Sequence, residues 1–114
     1  MKMLLFKPEL GTLTRIDYPE AGHIVDLVED DAFHGSRIVI DKVPYILYVG
    51  FNSSLKHSNL WSFYQVSTDK CLYGNIVIEK TDNDNNSKDI TAEDILSIRS
   101  HIMVRSKGYM IYLD

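Results

Sequence analysis

Residues 37–50, Arg-Ile-Val-Ile-Asp-Lys-Val-Pro-Tyr-Ile-Leu-Tyr-Val-Gly, constrain the fold of this chain more than any other stretch. Two runs rich in β-branched and aromatic residues meet across the short polar pair Asp41 and Lys42, which is the pattern of a β-hairpin. Ile38 and Ile40 alternate with Val39, and Tyr45, Leu47 and Val49 alternate with Ile46 and Tyr48. Apolar residues therefore fall on both faces of each strand, so both faces need cover. The hairpin is expected to be the centre of a sheet.

At 114 residues the chain is the size of one domain. Such a domain buries roughly two thirds of its unfolded surface, enough for one core without staples. One domain over residues 1–114 is the expectation. Twelve Lys and Arg against sixteen Asp and Glu leave a net charge of −4. That balance argues against nonspecific nucleic-acid binding and is too mild for strong DNA mimicry. Cys71 is the sole cysteine, so no intramolecular disulfide can form and the cytoplasm is the expected compartment. The opening residues 1–8 hold an apolar run too short for a signal-peptide core or a membrane span, and read as a first strand.

In chain order, residues 3–6 and 12–16 alternate around Pro8 and Gly11, predicting an N-terminal hairpin. Pro19, then Ala21, Ile24, Val25 and Val28 at helical spacing, predict a short amphipathic helix over 19–28. Asp26, Glu29, Asp30 and Asp31 oppose the dipole at its end, so early fraying is expected. Residues 51–59 read as a loop. In an extended run, Leu60, Tyr64 and Val66 fall on one face and Trp61 and Phe63 on the other. Another strand is expected over 73–80, then an Asx-rich turn over 81–87. Thr91 and Asp94 form a capping box with Asp in place of Glu, and Ile95, Ile98 and Ile102 follow on one face of a helix reaching about residue 105. Gly108 ends that helix, and residues 109–113 are expected as a strand inserted between neighbours.

Few constellations point to chemistry. Residues 82–93 carry acids or amides at the first, third and fifth positions of a calcium loop and Glu93 at the twelfth. Ser87 stands where that loop needs glycine, and a strand precedes it, so a solvated Asx turn feeding a capped helix is the preferred reading. His23, His34, His57 and His101 show no paired metal-ligand spacing, and no metal or cofactor is expected. Cys71 reads as a small buried hydrophobe. No phosphate loop or nucleophile elbow is present, so no catalytic residue is assigned. Lys56, His57, Trp61, Phe63, Tyr64 and Lys70 mix basic and aromatic residues as a single-stranded nucleic-acid platform does, but strand aromatics usually pack, and the acidic balance weakens attraction.

The series Tyr45-x-x-Tyr48-Val49, Leu55-Lys56, Asn59, Leu72-Tyr73-Gly74-Asn75-x-Val77-Ile78, an Asp/Asn turn and Ile90-Thr91-x-Glu93-Asp94-Ile95 resembles a small family of unknown function. That family is carried by phages, plasmids and their bacterial hosts. The resemblance covers about two thirds of the chain, starting with a strand followed by Lys7-Pro8-Glu9, and departs from the family at Phe51-Asn52-Ser53-Ser54, where a turn glycine is expected. It implies an accessory protein of a mobile element, and no catalytic residue.

The fold expected is α+β: a mainly antiparallel sheet of five to seven strands with two helices packed on one side of it. The function expected is non-enzymatic binding of a host macromolecule, a host protein of the defence machinery being the target in view. The alternative is a small-ligand or single-stranded nucleic-acid binding module, and a homodimer is the other partner weighed. Leu60, Trp61, Phe63, Tyr64, Lys56 and His57 are the candidate binding residues, because large apolar groups on both faces of one strand need a second cover.

Overall fold

The computed structural model describes residues 2–7, 12–17, 24–52, 62–65, 70–106 and 109–112. In order these form β1 (Lys2–Lys7), β2 (Thr12–Asp17), α1 (Ile24–Val28), β3 (Phe33–Ile40), β4 (Val43–Gly50), β5 (Ser62–Gln65) and β6 (Lys70–Tyr73). Then come β7 (Ile76–Thr81), β8 (Ser87–Lys88), α2 (Ala92–His101), β9 (Ile102–Ser106) and β10 (Tyr109–Tyr112). A six-stranded antiparallel sheet runs β2-β1-β7-β4-β3, with β8 added on β7. With its two helices this is the expected α+β fold. A separate four-stranded sheet, β10-β9-β5-β6, was not foreseen as such.

The expected hairpins form. β1 and β2 pair from Lys2↔Asp17 to Lys7↔Thr12. β3 and β4 pair from Phe33↔Gly50 to Ile40↔Val43, around a two-residue turn in which Asp41 and Lys42 have φ of 50° and 69°. Positive φ at both central residues is the type I′ geometry that matches the twist of the flanking strands.

The sheet's centre is β7 and not the β3–β4 hairpin. β7 lies between β1 and β4, and Ile76, Val77 and Ile78 are all fully buried. β4 is interior too, with Tyr45 and Leu47 fully buried. β3 closes the sheet and leaves Val39 57% exposed, so one of its faces does meet water. Apolar alternation alone cannot tell an interior strand from an edge strand whose exposed face carries a valine.

The two helices lie on opposite faces, which corrects the expectation of a one-sided pair. Leu4, Phe6, Tyr45, Leu47, Val49, Ile76 and Ile78 share a core with Ile90 and with Ile98 of α2. The intervening residues Met3, Leu5 and Val77 share a second core with Ile24 and Val28 of α1. Side chains alternate across a strand, so continuous apolar runs such as 3–6 and 76–78 supply both cores at once.

Three element boundaries also differ from expectation. Gly74, at φ 77°, breaks the strand foreseen over 73–80 into β6 and β7, which belong to different sheets. α2 stops at His101, and Ile102 enters β9 instead of a fourth helical turn. The Ile102-Met103-Val104 run serves equally as strand, and pairing with β5 (Gln65↔Ile102, Phe63↔Val104) decides the outcome. β10 terminates the second sheet and pairs with β9, where an inserted strand was expected. Of the first predicted helix, residues 24–28 are helical, residues 19–23 lie outside the described residues, and Glu29 at φ 56° ends the turn where fraying was foreseen.

Candidate functional site

The buried polar groups come first, because an inward-facing carboxylate is where an active site would announce itself. Asp94 opens α2 through the expected capping box. Its Oδ2 accepts from the Thr91 N–H (2.8 Å) and hydroxyl (3.0 Å), while its own N–H donates to the Thr91 Oγ1 (3.2 Å). The same carboxylate accepts from the Tyr45 hydroxyl at 3.0 Å and from the Lys80 ammonium at 2.9 Å. Burial pushes the Asp94 carboxyl up, but the Thr91 N–H, the Lys80 ammonium and the Thr91 and Tyr45 hydroxyls outweigh it and hold the group below the usual carboxylate range. Burial and the neighbouring carboxylate push the Tyr45 hydroxyl above its ordinary range. Asp94 is thus a fully engaged anion that fixes the start of α2 on β4 and β7.

Other buried acids are also structural. Glu79 accepts from the Tyr48 hydroxyl and the Ser87 hydroxyl, each at 3.0 Å, tying β7 to β4 and β8. Asp30 accepts from the N–H groups of Ala32 (3.3 Å) and Asn52 (2.8 Å) and joins the end of α1 to the end of β4. An acid read from sequence as part of a fraying cluster is therefore an anchor. Asn75 donates to the Leu27 carbonyl at 3.0 Å, fastening α1 to the sheet.

One juxtaposition of serine, aspartate and histidine was invisible in the sequence. Asp41, in the hairpin turn, accepts from the Ser97 hydroxyl through Oδ2, and its Oδ1 lies 3.4 Å from the His101 Nε2. His101 donates from Nδ1 to the Ser97 carbonyl at 2.9 Å. A nucleophilic serine needs its hydroxyl on the imidazole base, whereas here the hydroxyl goes to the carboxylate and the imidazole is turned to the backbone. The arrangement clamps the β3–β4 turn onto α2.

In the calcium-like segment, Asp82 Oδ1 accepts from the N–H groups of Asp84 and Asn86, each at 2.9 Å. The Asn86 N–H leads the interactions that hold the Asp82 carboxyl below the usual range. Asn85, at φ 64°, completes the turn and accepts from Arg37 at 2.8 Å. The segment has the Asx-turn geometry preferred from sequence.

Among the candidate binding residues, Lys56, His57, Leu60 and Trp61 lie outside the described residues. Phe63 and Tyr64 are on β5, an interior strand of the second sheet, where Phe63 is in register with Leu72 and Val104, and Tyr64 with Cys71 and Met103.

The surface that the sequence reading missed is the outer edge of β3. The Phe51 N–H donates to the Ala32 carbonyl at 3.0 Å, and Ile40 faces Val43 at the turn. In an antiparallel ladder inward- and outward-directed backbone groups alternate. Ala32 and the even-numbered residues of β3 are therefore directed at β4, and Phe33, Gly35, Arg37 and Val39 direct their N–H and C=O groups away from the sheet. β3 pairs with no other strand among the described residues. The exposed Phe51, its ring 5.2 Å from that of His34, flanks one end of this edge, and the exposed Val39 flanks the other. The polar start of the strand, His34-Gly35-Ser36, was the available sequence signal for an edge.

No protein-family model, no curated protein and no solved structure matches the chain. Among the described residues no helix is long and apolar enough to cross a membrane.

Proposed function

We propose that this chain acts by binding, without chemistry on its target: an accessory protein of a phage or plasmid that engages a host macromolecule in the cytoplasm, a defence protein being the target class. The observation that carries the binding reading is the β3 edge, an eight-residue strand with one charged side chain and an outward row of backbone donors and acceptors. Natural edge strands are usually blunted by lysine, proline or a covering element when they are not used. An extended polypeptide is the ligand such an edge recognises, through main-chain hydrogen bonds. The buried carboxylates support the same reading, since each is engaged in holding elements together. The mobile-element setting rests on the family resemblance described above.

Capture from lysate of a bacterial carrier, with the wild-type chain, Val39→Lys and Trp61→Ala in parallel, tests the proposal. Loss of a specific host protein with Val39→Lys supports docking at the β3 edge, and loss with Trp61→Ala alone moves the surface to the segment around Leu60, Trp61, Phe63 and Tyr64. Capture unaffected by both changes, or no saturable capture at all, overturns it.

A further inference from the structure

We propose that the outer edge of β3 pairs with the same edge of a second copy of this chain, antiparallel, with Ser36 facing Ser36 across a two-fold axis. This rests on reading that edge as a polypeptide-docking surface and names an occupant for it. A two-fold axis through Ser36 brings Phe33 opposite Val39 and Gly35 opposite Arg37, and the reverse, so all four outward-facing residues meet outward-facing residues. Every outward N–H and C=O of these four then has a partner.

The neighbouring registers are worse for stated reasons. Centring the pair on Arg37 stacks two like charges directly opposite one another. Centring it on Gly35 sets Val39 against the exposed Asp31, forfeiting apolar cover. With Ser36 at the centre, the 57%-exposed Val39 gains the half-buried Phe33 ring of the second copy as its cross-strand neighbour. Arg37 meets a glycine, over which there is already an aromatic ring: a Cβ on Gly35 would lie 3.0 Å from Ile46 Cγ2 and 3.1 Å from Tyr48 Cε1. The Arg37 guanidinium donates to Asn85 of its own chain at 2.8 Å, so at this pair its side chain meets no opposing side chain. The other end of the sheet offers no such match, because the exposed side chains of β2 include Arg15 and Asp17, and Asp17 is bound by Lys2 at 2.6 Å. Charges on an edge strand are the usual protection against pairing.

The test combines sedimentation equilibrium of the purified chain, from micromolar to submillimolar concentration, with disulfide trapping. The wild-type chain is expected to dimerise, and Val39→Lys to weaken the dimer by about tenfold or more while leaving the melting temperature unchanged at concentrations low enough that both chains are monomeric. The Ser36 pair would be a non-hydrogen-bonded one with Cα atoms about 4.5 Å apart, within reach of a disulfide. Ser36→Cys should therefore form a covalent dimer on mild oxidation. Wild type, which retains Cys71, and His34→Cys, which the two-fold keeps well apart, should not. A chain that stays monomeric throughout, a dimer indifferent to Val39→Lys, or trapping of His34→Cys as fast as Ser36→Cys overturns the self-pairing. If the chain is monomeric yet Val39→Lys still abolishes host capture, self-pairing fails and the docking reading stands.

Discussion

The Tyr45 hydroxyl donates to Asp94 Oδ1 at 3.0 Å inside the core, linking residues 49 positions apart in the chain. Asp94 is at once the carboxylate half of the capping box of α2, the acceptor for a fully buried tyrosine and the partner of Lys80. A carboxylate with that many donors is stable as an anion in a place where a lone charge would be expelled.

Asp94→Ala is expected to destabilise the chain by about 2–4 kcal/mol, because it removes the carboxylate half of the capping box and leaves the Tyr45 hydroxyl and the Lys80 ammonium without their acceptor. Tyr45→Phe, which removes only the donor, should cost about 1 kcal/mol. Urea denaturation of both variants measures the difference, and equal losses would mean that the bonds of Asp94 to Thr91 and Lys80 contribute nothing.

The pH dependence follows from the direction of the shift at Asp94. A carboxyl held low in the folded state stabilises fully above its unfolded value, about 3.9, and this contribution disappears as pH falls through the folded value. The stability gap between wild type and Asp94→Asn should therefore be constant near neutrality and narrow below about pH 4. Tyr45 has the opposite sign. Its raised value gives a contribution present below about pH 10 and lost at more alkaline pH, a loss that Tyr45→Phe should remove.

Core placement predicts a contrast within one hairpin. Leu47→Ala on β4 and Ile78→Ala on β7, both fully buried, should each cost about 2–5 kcal/mol. Val39→Ala on the exposed face of β3 should stay within about 0.5 kcal/mol. Chemical denaturation of the three variants separates an edge β3 from a central one.

Millimolar calcium should leave the melting temperature unchanged, since Asp82 already accepts from the backbone of its own turn. A saturable upward shift, abolished by Glu93→Gln, would contradict the Asx-turn reading.

The sequence by itself determined the local devices, because each depends on residues a few positions apart. The β3–β4 hairpin needs only a short polar pair between two apolar runs, and the Thr91–Asp94 box needs only a hydroxyl and a carboxylate three apart at a helix start. The runs at 3–6 and 76–78 likewise required cover on both faces, whatever provided it. Tertiary structure alone decided which strand was central, on which face each helix lay and where α2 gave way to β9. Ile102 and Val104 satisfy a helix pattern and a strand pattern equally, and only the β5 backbone distinguishes them. Val39 reads as core by alternation, and only its place on the last strand of the sheet exposes it. The Asp41–Ser97–His101 clamp spans separations that no local pattern encodes. Strand order is set by pairing energies between distant segments, and a one-dimensional pattern of apolar and polar residues carries the demand for a partner without naming it.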